Sequence, residues 1–322
     1  MSLPPTVPND ISSPKAYLIG GCVEGPLLGI NIALYIMYVR ILSKNLSLPK
    51  KLLIGLATVQ LVSAFAHYIT IMMDLISGFI TYVDGPGGAD AYFGNTTRAR
   101  YVIAIFFFST NYSIGDAILA WRCYAVWGHN RLIGAFFTVL VIVAFICGYT
   151  SAAHIATLGK NRDLFADYQW AVAIFAMSLS IQVLASSMVV YKIWRTSISM
   201  YHLSAAWIIV ESGLILTSAT VSVLVLFLLN MQAGQILSCV LTQLSLAVPL
   251  SIAIRAASKW ANDHKQSLPL SGYTTVAEAG MNSRRGERTI GTGASMGSTI
   301  AMASDTEIKV DMSSMDLPSL TA

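Results

Sequence analysis

Seven long apolar stretches separated by short polar links dominate the chain. Each reaches about 20 residues or more, the length at which an α-helix rising 1.5 Å per residue crosses the hydrocarbon core of a bilayer. Because a spanning segment must satisfy its backbone hydrogen bonds within lipid, the repetition predicts an all-α, polytopic bundle of seven transmembrane helices. The predicted spans cover residues 16–42, 52–79, 101–121, 132–158, 168–193, 203–229 and 235–257.

The orientation of this bundle follows from Lys and Arg in the links. One side carries eleven of them, and the other carries five, namely Lys15, Arg98, Arg100, Lys160 and Arg162. Since basic residues accumulate on the cytosolic side, the sequence predicts an extracellular segment 1–15 and a cytosolic C-terminus. Asn95-Thr96-Thr97 is a glycosylation sequon in a link that this rule places outside, so we expect Asn95 to be glycosylated.

Composition agrees with a lipid environment and delimits a tail. The 20 basic and 16 acidic residues make up 11% of the chain, against 55% hydrophobic residues, whereas soluble domains contain about 25% charged residues. The bilayer is therefore the expected partner, and the net charge of +4 without a dense basic patch predicts no nucleic-acid binding. Residues 16–262 form the predicted membrane domain. From residue 263 to 322 the Ser- and Thr-rich composition predicts a disordered cytosolic tail.

Ionisable residues within the outer halves of the spans are the first functional candidates. A charged side chain near the centre of a membrane helix costs about 2.5–3.5 kcal/mol, so such residues need a compensating role. The helical rise places Glu24, His67 and Asp74 towards the outer side or the middle of the bilayer. Pro26 and Pro249 interrupt backbone hydrogen bonding in the first and last spans and predict kinks on either side of this level. We interpret the three ionisable residues as the candidates for a small-molecule pocket.

A second polar level lies nearer the cytosol. Asp116 in the third span and Glu211 in the sixth reach similar depths, and Arg122 follows Asp116 on the same helix. The three residues are candidates for a polar switch between spans three and six. The alternative is that they are interhelical contacts that only hold the bundle together.

Small residues recur at four-residue spacing in the first span. Gly21, Gly25 and Gly29 share one helical face, which predicts close packing against a neighbouring helix.

Residues required by known membrane enzymes and cofactor proteins are missing from the expected places. The last span has no Lys for a retinal Schiff base, and the five histidines include no close pair on one helix for zinc. Gly115-Asp116 provides half of an intramembrane aspartyl protease motif without a matching second aspartate. We therefore expect no enzymatic activity, no cofactor and no metal site.

Two motifs carry a family resemblance. The run DAILAWRCYAVW at residues 116–127, together with VESG at residues 210–213, resembles the seven-span integral membrane protein family of mushroom-forming (basidiomycete) fungi. The resemblance covers roughly residues 15–260 and implies a seven-helix fold with a receptor-like role, without specifying a ligand. It points to Asp116, Trp121, Arg122 and Glu211 as positions to test.

Similarity to G-protein-coupled receptors is looser and rests on topology, basic cytosolic loops and the Ser- and Thr-rich tail. The sequence lacks cysteines in its outer links, an acid directly before Arg122, and an Asn-Pro-x-x-Tyr run around Pro249.

Together these features favour a receptor-like protein of the plasma membrane, with an endomembrane as the alternative location. We expect it to sense a small or lipophilic molecule and to signal through its basic cytosolic loops to a cytosolic partner. A small-solute or proton-coupled transporter and a non-catalytic membrane scaffold are the alternative hypotheses.

Overall fold

The computed structural model describes residues 10–43, 48–157, 168–196 and 200–266. The predictions for segment 1–9 and for the tail from residue 267 onward concern residues outside these ranges. The chain divides into two compact units between Ala257 and Ser258, and every contact reported below lies in the first unit.

The described residues form helices and no strands, which confirms the predicted all-α class. A π-helical turn, Ser77–Thr81, extends the second helix. The α-helices are α1 (Ser13–Leu42), α2 (Leu48–Ile76), α3 (Gly88–Gly94), α4 (Ala99–Val126), α5 (Arg131–Thr157), α6 (Tyr168–Thr196), α7 (Met200–Leu228) and α8 (Ala233–Gln266).

Six helices in the described part of the chain are long and apolar enough to cross a membrane. They are α1, α2 with its π-helical turn, α4, α5, α6 and α8. In α7 the apolar helix found among the described residues, Gly213–Leu228, is shorter. The structure therefore shows a polytopic helical bundle of an integral membrane protein.

The outer surface of the bundle is apolar where a soluble protein would be polar. Val62, Val139 and Leu214 are each exposed by 60% or more. Buried positions instead include many polar side chains, among them Gln60, Asn111 and Thr242. This inside-out pattern fits lipid, because hydrocarbon solvates apolar side chains but provides no hydrogen-bond partners.

The glycines of α1 pack against α2 over part of the predicted face. A Cβ on Gly21 would lie 2.6 Å from Met72 Cε, and one on Gly25 would lie 3.0 Å from the Tyr68 hydroxyl. A Cβ on Gly29 would meet nothing within 4 Å. The small-residue face therefore ends after Gly25, and the structure differs from the prediction at Gly29 because that residue lies on the exposed side of α1.

Both prolines lie inside helices that continue past them. Pro26 is on the exposed side of α1, whereas Pro249 is buried in α8. Only Pro249 therefore brings its altered backbone hydrogen bonding into the packed interior.

Candidate functional site

Glu24 and His67 form a buried pair between α1 and α2. Their Oε1 and Nδ1 atoms are 2.7 Å apart, and the two side chains are 0% and 6% exposed. Gln243 of α8 donates from Nε2 to the same Glu24 oxygen at 3.0 Å, and the Cys239 thiol also faces this carboxylate. Glu24 thus joins three helices through hydrogen bonds to one oxygen.

Asn31, two turns further along α1, contacts the same residue of α8. Its Nδ2 donates to Gln243 Oε1 at 2.8 Å and to the Gln243 backbone carbonyl at 3.0 Å. Gln243 is therefore held on both sides, and its amide group keeps the orientation in which Nε2 points at Glu24.

His67 also lines a cavity of about 80 Å³. It is lined by residues of α2, α4, α5, α6, α7 and α8, at the end of the bundle that carries α3 and Asn95. We call it the His67 cavity. Its polar lining is His67, Ser109, Ser151, Gln235, Ser238 and Cys239, and its aromatic lining is Tyr101, Phe108, Phe175 and Phe227. Ser109 is 1% exposed, and its Oγ has no hydrogen-bond partner among the described residues.

Asp74 belongs to a separate cluster above this cavity. Its Oδ2 lies 2.8 Å from Arg98 Nη2, and its Oδ1 accepts a hydrogen bond from the Tyr92 hydroxyl at 2.9 Å. The Arg98 guanidinium lies over the Tyr92 ring at 4.5 Å and the Phe93 ring at 5.2 Å. Burial, and then the hydrogen bond to Asp74, raise the pKa of the Tyr92 phenol. Asp74 thus fastens α3 to the ends of α2 and α4, and it does not contact Glu24.

Aromatic side chains separate the His67 cavity from a second buried network. Phe108 stacks on Tyr112, with centroids 5.5 Å apart and an interplanar angle of 18°. Phe175 meets Phe108 edge-on at 6.0 Å. Phe108 and Phe175 line the cavity, whereas Tyr112 does not.

Hydrogen bonds from Tyr112 connect α4, α6 and α7. Its hydroxyl is 2.9 Å from Thr220 Oγ1, and Gln182 Nε2 donates to it at 3.2 Å. Asp116, one turn further along α4, faces Ser178 and Gln182, and its Oδ2 has no partner among the described residues. These five residues form what we call the Tyr112 network, and each is 2% exposed or less.

The structure does not bring Asp116, Arg122 and Glu211 together. Arg122 donates from Nη2 to the Pro249 carbonyl of α8 at 2.6 Å. Glu211 is half-exposed and lies 3.5 Å from Arg255. Six residues along a helix rotate Arg122 about 120° away from Asp116, so the two side chains face different neighbours. The predicted three-residue contact is therefore absent, and Asp116 takes part in the Tyr112 network instead.

Neutral amides, which the sequence prediction did not single out, make the contacts between the central helices. Gln60 Nε2 donates to the backbone carbonyls of Asn111 and Ser245, each at 3.1 Å. Ser245 lies four residues before Pro249, whose missing N–H leaves that carbonyl without its usual helical donor. A glutamine within one span and a proline in another are the sequence signals that point to this contact.

The glycosylation sequon forms a local turn. Asn95 Oδ1 accepts hydrogen bonds from the backbone N–H of Thr97 at 3.1 Å and from its hydroxyl at 2.8 Å. The asparagine itself is half-buried.

Among the described residues, no three His, Cys, Asp or Glu side chains form a group that could hold a metal ion. In comparisons with known proteins, no family model and no curated protein matches the chain.

Proposed function

We propose that this chain is a receptor-like seven-helix membrane protein that binds a small molecule in the His67 cavity. One observation carries the proposal: Phe108 and Phe175 are both cavity lining and packing partners of Tyr112. The cavity therefore adjoins a hydrogen-bond network that connects three helices.

The proposed coupling acts through Tyr112. A bound molecule presses on Phe108 and Phe175, and the Tyr112 hydroxyl moves relative to Thr220 and Gln182. Each hydrogen bond that is exchanged contributes about 1 kcal/mol. A change in one or two of them matches the 1–3 kcal/mol that typically couples two sites in a protein. The shift reaches the cytosolic ends of α6 and α7 and, through the basic loops, a cytosolic partner.

The topology of the proposal requires α7 to cross the membrane as well, as the sixth of seven spans. The helix runs for 29 residues, which exceeds the about 20 needed to cross a bilayer. With seven spans the termini lie on opposite sides, and the Lys and Arg distribution puts the N-terminus outside. The resemblance to the fungal seven-span family supports the same arrangement, and the plasma membrane is the proposed location.

Glycosidase treatment of the cell-expressed protein tests this orientation. We expect a mobility shift on treatment, and no shift in Asn95→Gln. An unglycosylated Asn95 that a membrane-impermeant reagent reaches only after permeabilisation contradicts the orientation.

A cavity-filling variant tests the coupling without a known ligand. Ala104 is buried and lines the cavity, so Ala104→Leu mimics occupancy. Spin labels at the exposed Leu52 and Trp194, in a cysteine-free background, report the spacing of the cytosolic ends of α2 and α6. We expect Ala104→Leu to change the label distance in nanodiscs and Tyr112→Phe to abolish the change.

Tyr149→Phe is the matched control for this experiment, because among the described residues that hydroxyl bonds Thr110, at 2.6 Å, and lies outside the Tyr112 network. It should leave the change intact. An unaltered distance in a folded Ala104→Leu protein refutes the coupling.

The Glu24–His67 pair favours a proton-coupled transporter as the second candidate. A buried carboxylate beside an imidazole is a common proton-relay arrangement, and Glu24 Oε2 has no partner within the described chain. Proteoliposomes distinguish the two functions. Pyranine-detected proton flux that Glu24→Gln abolishes favours transport, and absence of flux favours the receptor.

A further inference from the structure

We propose that the cytosolic end of α6 binds the headgroup of an anionic phospholipid, one that ends in a phosphate monoester. The site is a groove lined by Tyr191, Trp194 and Arg195, with Lys192 on the edge that faces Trp127 of α4. We call it the α6 groove. It is separate from the His67 cavity. From the proposed function it takes only the orientation, which puts this end of α6 at the cytosolic leaflet.

Basic side chains stand next to each other at this end of α6 without a countercharge. Lys192 and Arg195 are three residues apart in the helix, a spacing that puts Cβ atoms about 5–6 Å from each other on one face. Neither has an acidic partner within the described part of the chain. Glu211 of α7 lies 3.5 Å from Arg255 instead. Both cations are therefore available to a single anion.

Trp127 of α4 keeps one of these cations beside the groove. The Lys192 Nζ atom lies 5.3 Å from the centre of the Trp127 ring, where the aromatic face attracts a cation. The same ring stacks on Tyr191, with centroids 6.4 Å apart and an interplanar angle of 17°. Its Nε1 donates to the Met188 carbonyl at 3.3 Å, which fixes the indole against α6. Part of the cost of ordering the lysine is therefore met before a ligand binds.

Exposed apolar side chains indicate a lipid rather than a free phosphate as the source of the anion. Trp194 is 72% exposed and Tyr191 is 47% exposed. Together with the exposed Val183 and Leu184 they form a stripe along one side of α6, with the spacing of three to four residues that a helix requires. Lipid chains are the solvent for such a stripe. A lipid that lies along it brings its headgroup to Arg195, whereas a free phosphate makes no use of the stripe.

The charge of the site selects among the lipid headgroups. A phosphate monoester carries a charge of about −1.5 to −2 near neutral pH, whereas a phosphodiester carries about −1. Arginine binds phosphate oxygens through paired N–H groups, and lysine adds a compact second charge. Lys192 and Arg195 together therefore match a monoester better than a diester. The headgroup of phosphatidylcholine has no net charge, and its own ammonium group is repelled by both side chains.

Native mass spectrometry of the full chain in detergent micelles measures the dissociation constant of each added lipid. The probes are dioleoyl phosphatidic acid, phosphatidylglycerol and phosphatidylcholine. They share their acyl chains and present a monoester, a singly charged diester and a zwitterion. Glycerol 3-phosphate, which has the monoester without acyl chains, is added as a competitor. A micelle has no sides, so the measurement depends neither on the proposed orientation nor on the His67 cavity.

We expect phosphatidic acid to bind about fivefold more tightly than phosphatidylglycerol, and phosphatidylcholine to bind most weakly. Arg195→Gln and Lys192→Gln should each weaken the binding of phosphatidic acid about fivefold, the contribution of one basic residue at a membrane surface. Lys51→Gln is the matched control. It removes the same charge at the same end of the bundle, from an exposed residue of α2 outside the α6 groove, and it should leave the affinity unchanged.

The other outcomes overturn the proposal in distinguishable ways. Equal affinities for phosphatidic acid and phosphatidylglycerol, or equal losses in all three variants, mean that the basic end attracts anionic lipid without a defined site. Displacement of phosphatidic acid by an equal concentration of glycerol 3-phosphate means that the groove takes the free anion and not the lipid. If no lipid binds in any sample, the α6 groove is not a lipid site, and the proposed receptor function is unaffected.

Discussion

Substitutions in the Glu24–His67 pair should have strongly non-additive effects on stability. His67→Leu removes the imidazole 2.7 Å from the carboxylate and leaves Glu24 with Gln243 as its remaining donor to Oε1. A buried charge that loses its partner costs about 3–5 kcal/mol. Glu24→Leu instead leaves a neutral histidine with an unpaired N–H, at a cost of about 1–3 kcal/mol.

The double variant removes both polar groups and leaves an apolar contact between α1 and α2. We expect its cost to fall below the sum of the two single costs, because neither an unpaired carboxylate nor an unpaired imidazole remains. The difference, which is the coupling energy of the pair, should exceed about 1 kcal/mol. Gln243 loses its acceptor in both variants that lack Glu24, so its contribution cancels from part of the cycle.

Unfolding by SDS in mixed micelles, followed by tryptophan fluorescence, gives the four free energies of this cycle. The neutral Thr110–Tyr149 hydrogen bond, with its oxygens 2.6 Å apart, is the control pair. A cycle with Thr110→Val and Tyr149→Phe should show a coupling of about 0.6 kcal/mol, the average for hydrogen bonds in a membrane protein. If Glu24 and His67 prove additive within about 0.5 kcal/mol, the reasoning that the two side chains depend on each other for their hydrogen bonding is wrong.

Three further predictions test the packing and the backbone contacts. Gly21→Leu should separate α1 from α2 and lower the midpoint of SDS unfolding, because its Cβ alone would lie 2.6 Å from a neighbouring side chain. Gly29→Leu should leave that midpoint unchanged, since a Cβ there meets nothing within 4 Å. Equal effects of the two variants would contradict the packing of Gly21 against α2. Gln60→Leu should lower the unfolding free energy by about 1–3 kcal/mol. Adding Pro249→Ala should recover part of this loss, because residue 249 then has an N–H that can donate to the freed Ser245 carbonyl. If nothing is recovered, Gln60 does not replace the missing proline donor. Arg98→Lys should speed amide hydrogen exchange in Gly88–Gly94, because lysine keeps the charge but loses the flat stacking of the guanidinium on the aromatic rings. Unchanged exchange would mean that Arg98 does not hold α3 in place.

The membrane-crossing helices were predictable from the sequence because lipid imposes a length and a composition on each one. The prediction of six of them holds for α1, α2, α4, α5, α6 and α8. Helix α3 carries no comparable signal, since its seven residues are too short for a periodicity. It forms where Phe93 is fully buried and where Arg98 and Asp74 hold its end. Such tertiary contacts cannot be derived from the local sequence.

The sequence predicts how deep the candidate residues lie in the membrane, but not which neighbouring helix each side chain faces. Helical rise puts residues at approximately correct levels, and Glu24 and His67, both assigned to one polar level, are in contact. The rise per residue, however, does not determine which neighbouring helix a given face of the helix contacts. Asp74 therefore pairs with Arg98. Asp116 likewise faces Ser178 and Gln182 rather than Arg122.

Buried amide side chains in this bundle find hydrogen-bond acceptors more readily than donors, which explains the pattern of their contacts. Asn31, Gln60 and Asn111 each donate from their amide nitrogen to a backbone carbonyl, while their amide oxygens have no partner within the described chain. Helical carbonyls retain a second lone pair, but helical N–H groups are already used, so neighbouring helices offer acceptors and few donors.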